Sequence, residues 1–308
     1  PTDMGFLLGP RLNAAGRLDD MSKGVRLLLE KDFNEAKRKA EELNQFNKRR
    51  KEIELEMMDT FKPLIENFES DRYGVCVYDP TGHEGVIGIV ASRVKDKLNR
   101  PTICFSDTHE AAAMREKMRE AEIMGDEAEV ARIKELFLET DVKGSARSVP
   151  GVHLKHTLDE IKVKHPHILT KAGGHSMAAG LSLRHRYFEE FQNIFDSLVR
   201  KHLTPEMIKG EVLVDIADFP AEWMTLENAQ ALRKAGPWGQ HFEQPLFSKR
   251  MEVIEFRPLK GGHLKLKLRA PGTSVVVDGI CFKCLEDGEE KDLSLDFVDV
   301  CFSLDVNE

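Results

Sequence analysis

Five cysteines are all that 308 residues contain, an odd number scattered along the chain. Reduced thiols in a cytoplasmic setting, and not a disulfide framework, are the expectation. No run of 18 apolar residues occurs, so the sequence offers no membrane-spanning helix. The opening PTDMGFLLGP lacks an initiator Met and lacks the basic, apolar, small-residue grammar of a signal peptide. It reads as a start inside a longer protein. There is no P-loop, no Ser, His and Asp arrangement, and no cluster of aspartates able to hold two metal ions. No catalytic residue and no metal ligand is expected in this chain.

What is present is a globular composition, 41% hydrophobic and 32% charged, with a net charge of −8 that by itself argues against a nucleic-acid partner. The charge is sorted by region, however. Residues 107–141 carry 11 acids against five bases, whereas residues 143–185 carry seven bases against two acids and six of the eleven histidines. An anionic ligand would be drawn to the second stretch if the fold gathers those cations on one surface.

From about Met21 to Phe68, apolar residues recur at three- and four-residue intervals, which predicts one long amphipathic helix, either a strut or part of a helical hairpin. A β-α-β unit follows, with strands at 73–78 and 101–106 around a helix in VIGIVASRVKDKL. Residues 107–141 read as an inserted, solvated helical hairpin turning at Gly125. A strand in KGSARSV, a helix in HLKHTLDEIKVKH, a strand at GLSL and a helix from Arg186 to His202 complete an α/β domain. Pro205 and Gly210 bracket a boundary, beyond which short strands and one helix near 225–235 predict a small β-barrel or sandwich, read as cut short at residue 308. The expected division is 1–70, 71–204 and 205–308.

Five stretches carry candidate chemistry. KAGGHSMAAG places Gly173 and Gly174 beside His175, where bare backbone could approach a phosphate, and an alanine-rich turn opening a helix would add its N–H groups. Tight packing explains the same residues equally well. GSARSVPGVH puts Ser145 and Arg147 on one face of a strand with Ser148 next, a hydroxyl and guanidinium suited to a phosphodiester, or else a solvated edge. TGHEGVIGIVASR places His83 and Glu84 in a turn leading into a helix, with Arg93 further along, each open to a ligand or a structural role. GPRLNAAGRLDD holds Arg11, Asn13 and Arg17 among small residues, in a stretch too glycine-rich for a simple helix. It is a site edge, or a turn whose Arg17 pairs with Asp19 or Asp20. HLKLKLRA alternates strictly, so Lys265, Lys267 and Arg269 form a basic strand face that suits a nucleic-acid backbone or merely protects an edge. Cys281 and Cys284 lack a second pair, and the histidines at 153, 156, 165 and 167 lack acidic or cysteine partners, so neither set reads as a metal site.

Four of these stretches, GPRLNAAGRLDD, HEGVIGIVASRV, GSARSV and AGGHSMAAGL, occur in an order that closely resembles the RecJ exonuclease family of the DHH phosphoesterase superfamily. The resemblance spans nearly the whole chain. It implies an α/β fold with a long linking helix, a DHHA1-type domain and then an oligonucleotide-binding-type barrel. It also implies hydrolysis of single-stranded DNA from a 5′ end, with manganese or magnesium held by a preceding domain. No Asp-His-His motif occurs here, so this chain resembles the downstream portion, with Ser145, Arg147, Gly173, Gly174 and His175 on phosphates and Arg11, Asn13 and Arg17 near the cleft. Two departures are the acidic insertion and Ala172, which replaces the first glycine of the family's Gly-Gly-Gly-His run.

The implied partners are single-stranded DNA and, among proteins, a single-strand-binding protein or a helicase acting in repair and recombination. The alternatives are a non-catalytic RNA-binding module of the DHHA1 type and a protein-interaction scaffold built on the acidic hairpin and long helix.

Overall fold

The computed structural model describes residues 3–68, 71–210, 215–239, 242–282, 284–285 and 296–307. Two compact units divide the chain, residues 1–211 and 212–308.

The first unit opens with helices. After a π-helical turn at Asp3–Leu8, the glycine-rich stretch is helix α1 (Gly9–Leu18), contrary to the expectation from its composition. Pro10 suits a first helical turn, where its missing N–H has no partner to lose. Ala14 and Ala15 are fully buried, because their small side chains let α1 lie close against α3 (Phe33–Glu66). The single helix expected from Met21 to Phe68 is instead two, α2 (Ser22–Leu28) and the 34-residue α3. Asp32 breaks it: its carboxylate accepts from Glu35 N–H at 2.9 Å, an N-cap with Glu in the first turn.

The heart of the unit is a mixed five-stranded sheet in the order β1-β2-β3-β5-β4, from β1 (Val75–Tyr78), β2 (Thr102–Asp107), β3 (Asp141–Arg147), β4 (Leu169–Gly174) and β5 (Ala178–Arg184). Only β1 and β2 pair in parallel, joined by the crossover helix α4 (Ile87–Leu98). One sheet face buries Phe105, Val142, Ala146, Leu181 and Leu183 against α7 (Leu154–Lys164) and α8 (Phe188–Arg200). On the other face, α4 and the end of α3 cover β1 and β2, burying Val75, Val77 and Cys104 against Val86, Val90, Met57 and Phe61. Helix α9 (Pro205–Lys209) closes the unit and accepts Asn99 Nδ2 at the Met207 and Ile208 carbonyls.

The insertion is a helical hairpin, α5 (His109–Met124) and α6 (Glu127–Leu138), capped by Thr108 and Asp126 and turned at Gly125, whose φ is +72°. Its root is a buried polar knot. Asp107 accepts from Arg115 Nε at 2.9 Å and from Tyr78 Oη, and His185 Nε2 lies 3.2 Å away. Burial alone would raise the Asp107 pKa; nearby His185, with the bonds from Arg115 and Tyr78, outweighs it and holds the carboxyl below its ordinary value.

The second unit carries helix α10 (Leu226–Ala235) and an antiparallel sheet ordered β8-β7-β6-β9, from β6 (Phe247–Leu259), β7 (His263–Arg269), β8 (Val276–Cys281) and β9 (Phe297–Phe302). Its core is Ala221, Met251, Leu268 and Ala270. The strand expected at GEVLVDIADF lies partly outside the described residues, and Ile216 makes one parallel bridge to Phe247. Trp238 donates its indole N–H to the Leu232 carbonyl at 3.1 Å and stacks on Phe242, so it serves this unit's own packing.

Candidate nucleic-acid interface

The cover that α4 gives the sheet stops at β3. Beyond it, among the described residues of this unit, the face formed by β3, β5 and β4 is bare, and strand alternation fixes what stands on it. Register sets out three rungs. Ser145 pairs with Gly180, which pairs with Gly173. Arg147 pairs with Ala178, whose carbonyl accepts from His175 N–H at 2.8 Å. Lys143 pairs with Ser182, which pairs with Lys171. A Cβ added at Gly173 or Gly180 would meet nothing within 4 Å, so the middle rung is open floor.

The two glycines of the Gly-Gly-His stretch do different work. Gly173 faces open space, whereas Gly174 has φ +149° and its Cβ would stand 2.5 Å from the Ala178 carbonyl oxygen. Gly174 closes a hairpin. No helix opens after His175: the stretch is β4, a turn and β5, so the helical N–H groups expected there are absent. His175 is exposed in that turn.

Helix α4 walls the groove through a close approach. A Cβ at Gly88 would lie 2.7 Å from Arg147 Nη2 and 2.9 Å from Ser145 Oγ, and one at Gly85 only 2.0 Å from the Arg17 carbonyl oxygen. Arg147 donates to Ser145 Oγ at 3.2 Å and to the Ala146 carbonyl at 2.7 Å, and Arg17 donates to the Gly85 carbonyl at 3.1 Å. Neither has a carboxylate partner among the described residues. Burial, and then the neighbouring Arg17, depress the Arg147 pKa. Burial and then Arg50 depress that of Arg17, with Glu54 partly offsetting them. A half-buried guanidinium disfavoured by burial and by the charge of another Arg is a standing electrostatic cost that an anion would relieve.

The remaining expected residues fall into place one by one. Ser148 is withdrawn from the surface: it is buried, and its hydroxyl donates to the Val152 carbonyl at 2.7 Å. Arg11 is spent on α3, donating to Asn44 Oδ1 at 3.1 Å and to the Leu7 carbonyl. Asn13 is exposed one helical turn before Arg17 on α1. Arg17 pairs with neither Asp19 nor Asp20; Asp19 holds Lys23 and Asp20 caps Ser22. His83 turns inward, its Nδ1 accepting from Gly85 N–H at 3.1 Å, while Glu84 pairs with Lys143 at 2.6 Å. Arg93 reaches Glu54 at 3.0 Å, and Arg50 reaches the same carboxylate at 2.7 Å, which ties α4 to α3.

The sequence reading missed Gly85, Gly88, Arg50 and Glu54. The spacing of Gly85 and Gly88 three apart at a helix start was the available signal.

In the second unit the basic strand is largely neutralised. Lys265 pairs with Asp278 at 3.2 Å and Arg269 with Glu252 at 3.3 Å, while Lys267 stands opposite Glu255 and Asp278. A shallow pocket of about 280 Å³ lies over Lys265, Lys267 and Arg257 with Glu255 and Asp278 in its lining.

Family comparisons agree with this architecture. Residues 71–201 match the DHHA1 domain and residues 217–308 the RecJ OB domain. The single-stranded-DNA-specific exonuclease RecJ of Escherichia coli is 39% identical over 311 residues, covering 100% of this chain and 48% of that protein. The chain corresponds to the C-terminal part of RecJ exonucleases, with their DHHA1 and RecJ OB domains. The RecJ of Salmonella typhimurium is 38% identical with the same coverage. A crystal structure of RecJ from Thermus thermophilus in complex with Mg2+ matches with a TM-score of 0.71 and 25% identity over 100% of this chain and 41% of that one. A Mn2+ complex from the same organism gives 0.69 and 25%, over 100% of this chain and 39% of that one. The chain spans about half the length of these two curated relatives.

Both Thermus thermophilus structures are complexes with a metal ion, and the described residues of this chain do not fit one. Among them, no group of three or more His, Cys, Asp or Glu side chains is placed to hold an ion. His153 and His156 stack at the start of α7, whereas His165 and His167 lie beyond its other end, with His167 3.2 Å from Glu190. No described helix is long and apolar enough to cross a membrane.

Proposed function

We propose that this chain is the strand-gripping part of a RecJ-family exonuclease that hydrolyses single-stranded DNA from its 5′ end in repair and recombination. Manganese or magnesium and the attacking water belong, on this reading, to the part of the relatives that this chain does not span. The observation that carries it is the Arg147 guanidinium: half-buried, beside Arg17, without a carboxylate partner among the described residues, and opening onto a bare sheet face. A phosphodiester docked there would accept from Arg147 and Ser145 Oγ, with His175 as a third donor at the end of the same rung. Gly173 and Gly180 let the backbone of the strand lie against the floor.

The test is fluorescence anisotropy of a 5′-labelled single strand with the chain and with Arg147→Ala, over a salt series and against duplex and folded-RNA competitors. Binding falls with salt, and Arg147→Ala weakens it by roughly 10-fold or more, as expected for a lost charge-assisted contact of about 1.5–3 kcal/mol. Unchanged affinity would move the grip elsewhere. Preference for folded RNA would replace this reading with an RNA-binding one.

A further inference from the structure

Two residues along a strand span about 6.7 Å, which is close to the separation of successive phosphates in an extended single strand. On the open face of β3 the residues at that repeat are Arg147, Ser145 and Lys143. We propose a second phosphate subsite, formed by Lys143, Ser182 and Lys171, that holds the DNA backbone further along the strand from Arg147. The proposal rests on the reading that Arg147 and Ser145 hold a phosphate.

The third rung is chemically complete for an anion. Lys143 and Lys171 flank the Ser182 hydroxyl on adjacent, hydrogen-bonded strands, all on the face that no element of this unit covers among the described residues. Lys171 is exposed and has no ion-pair partner among the described residues. Lys143 is held at 2.6 Å by Glu84, but both side chains are about half exposed, 49% and 46%, and such a pair is readily exchanged for a phosphate. Between the two cationic rungs lies bare Gly173 and Gly180, so no side chain on them interrupts a strand passing from one to the other. The track ends one rung later. There Asp141 accepts from Thr170 Oγ1 at 2.9 Å, and Arg184 is already paired with Glu139 at 2.8 Å.

The experiment compares 5′-labelled dithymidylate and hexathymidylate by anisotropy. Arg147→Ala weakens both. Lys171→Ala and Lys143→Ala weaken only the hexamer, each by about three- to tenfold at low salt, and each lowers the slope of log affinity against log salt by about 0.7. Glu84→Gln frees Lys143 and strengthens hexamer binding. Melting curves verify that these surface variants are folded. Lysine variants that bind the hexamer like the parent chain, or that weaken both oligonucleotides equally, overturn the second subsite. An Arg147→Ala variant that binds both normally removes the underlying reading instead.

Discussion

Gly88→Ala isolates the geometry of the groove from its charge. The added methyl would lie 2.7 Å from Arg147 Nη2 and 2.9 Å from Ser145 Oγ, against an ordinary contact of about 3.5 Å, so the guanidinium must retreat by roughly 0.8 Å. It cannot retreat freely, because Nη1 is bonded to the Ala146 carbonyl and to Ser145 Oγ. Alanine improves the local helix by up to about 1 kcal/mol over glycine, which offsets much of the crowding, so thermal stability changes little. Strand binding responds differently. A phosphate contact misplaced by this distance loses most of a charge-assisted bond, about 1.5–2 kcal/mol, or roughly 10- to 30-fold in affinity. Anisotropy with a labelled single strand measures it, and a parallel melt separates binding from folding. A variant that melts like the parent chain and binds within twofold of it would refute the claim that Arg147, held under α4, grips the backbone.

The paired glycines of the hairpin should part company: Gly174→Ala, at φ +149° with a carbonyl oxygen 2.5 Å away, costs about 2 kcal/mol or more in a denaturant titration. Gly173→Ala, facing open space, costs less than about 0.5 kcal/mol. Asp107→Asn should lower the melting temperature at neutral pH by roughly 4–8 °C, the equivalent of about 2 kcal/mol once the part-exposed Arg115 is allowed for. Its carboxyl titrates below the ordinary value in the fold, so the contribution is full above about pH 5 and is lost as pH falls through the lowered folded value. Parent and variant melts should therefore converge in acid; a gap that stays constant with pH would count against the knot.

Element types were legible where local patterns govern. The strand of GSARSV, the capped hairpin at Gly125 and the basic strand HLKLKLRA all read correctly because alternation, caps and turn residues act within a few positions. What escaped the sequence was decided by partners far along the chain. GPRLNAAGRL is helical because its alanines are buried against α3, and KAGGHSMAAG is a hairpin because β5 had a place between β3 and β4. The site followed the same division. Ser145 and Arg147 could be put on one face from spacing alone, but that the charge of Arg17, 130 positions away, acts on Arg147 is a product of the tertiary fold. Nothing local distinguished Ser148, which is turned inward, from Ser145, which is not.

Helices α1, α3 and α4 touch in pairs and close on themselves: α1 lies along the first half of α3, α4 is tied to the second half through Glu54, and the end of α1 meets the start of α4 at Gly85. Three members joined at three contacts make a triangle, and a triangle cannot shear without stretching a side. Helices about 15–50 Å long, and not a loop, thus fix where Arg17 stands against the turn that starts α4. Were a strand drawn through the groove as proposed, the load would fall on this brace and not on a loop.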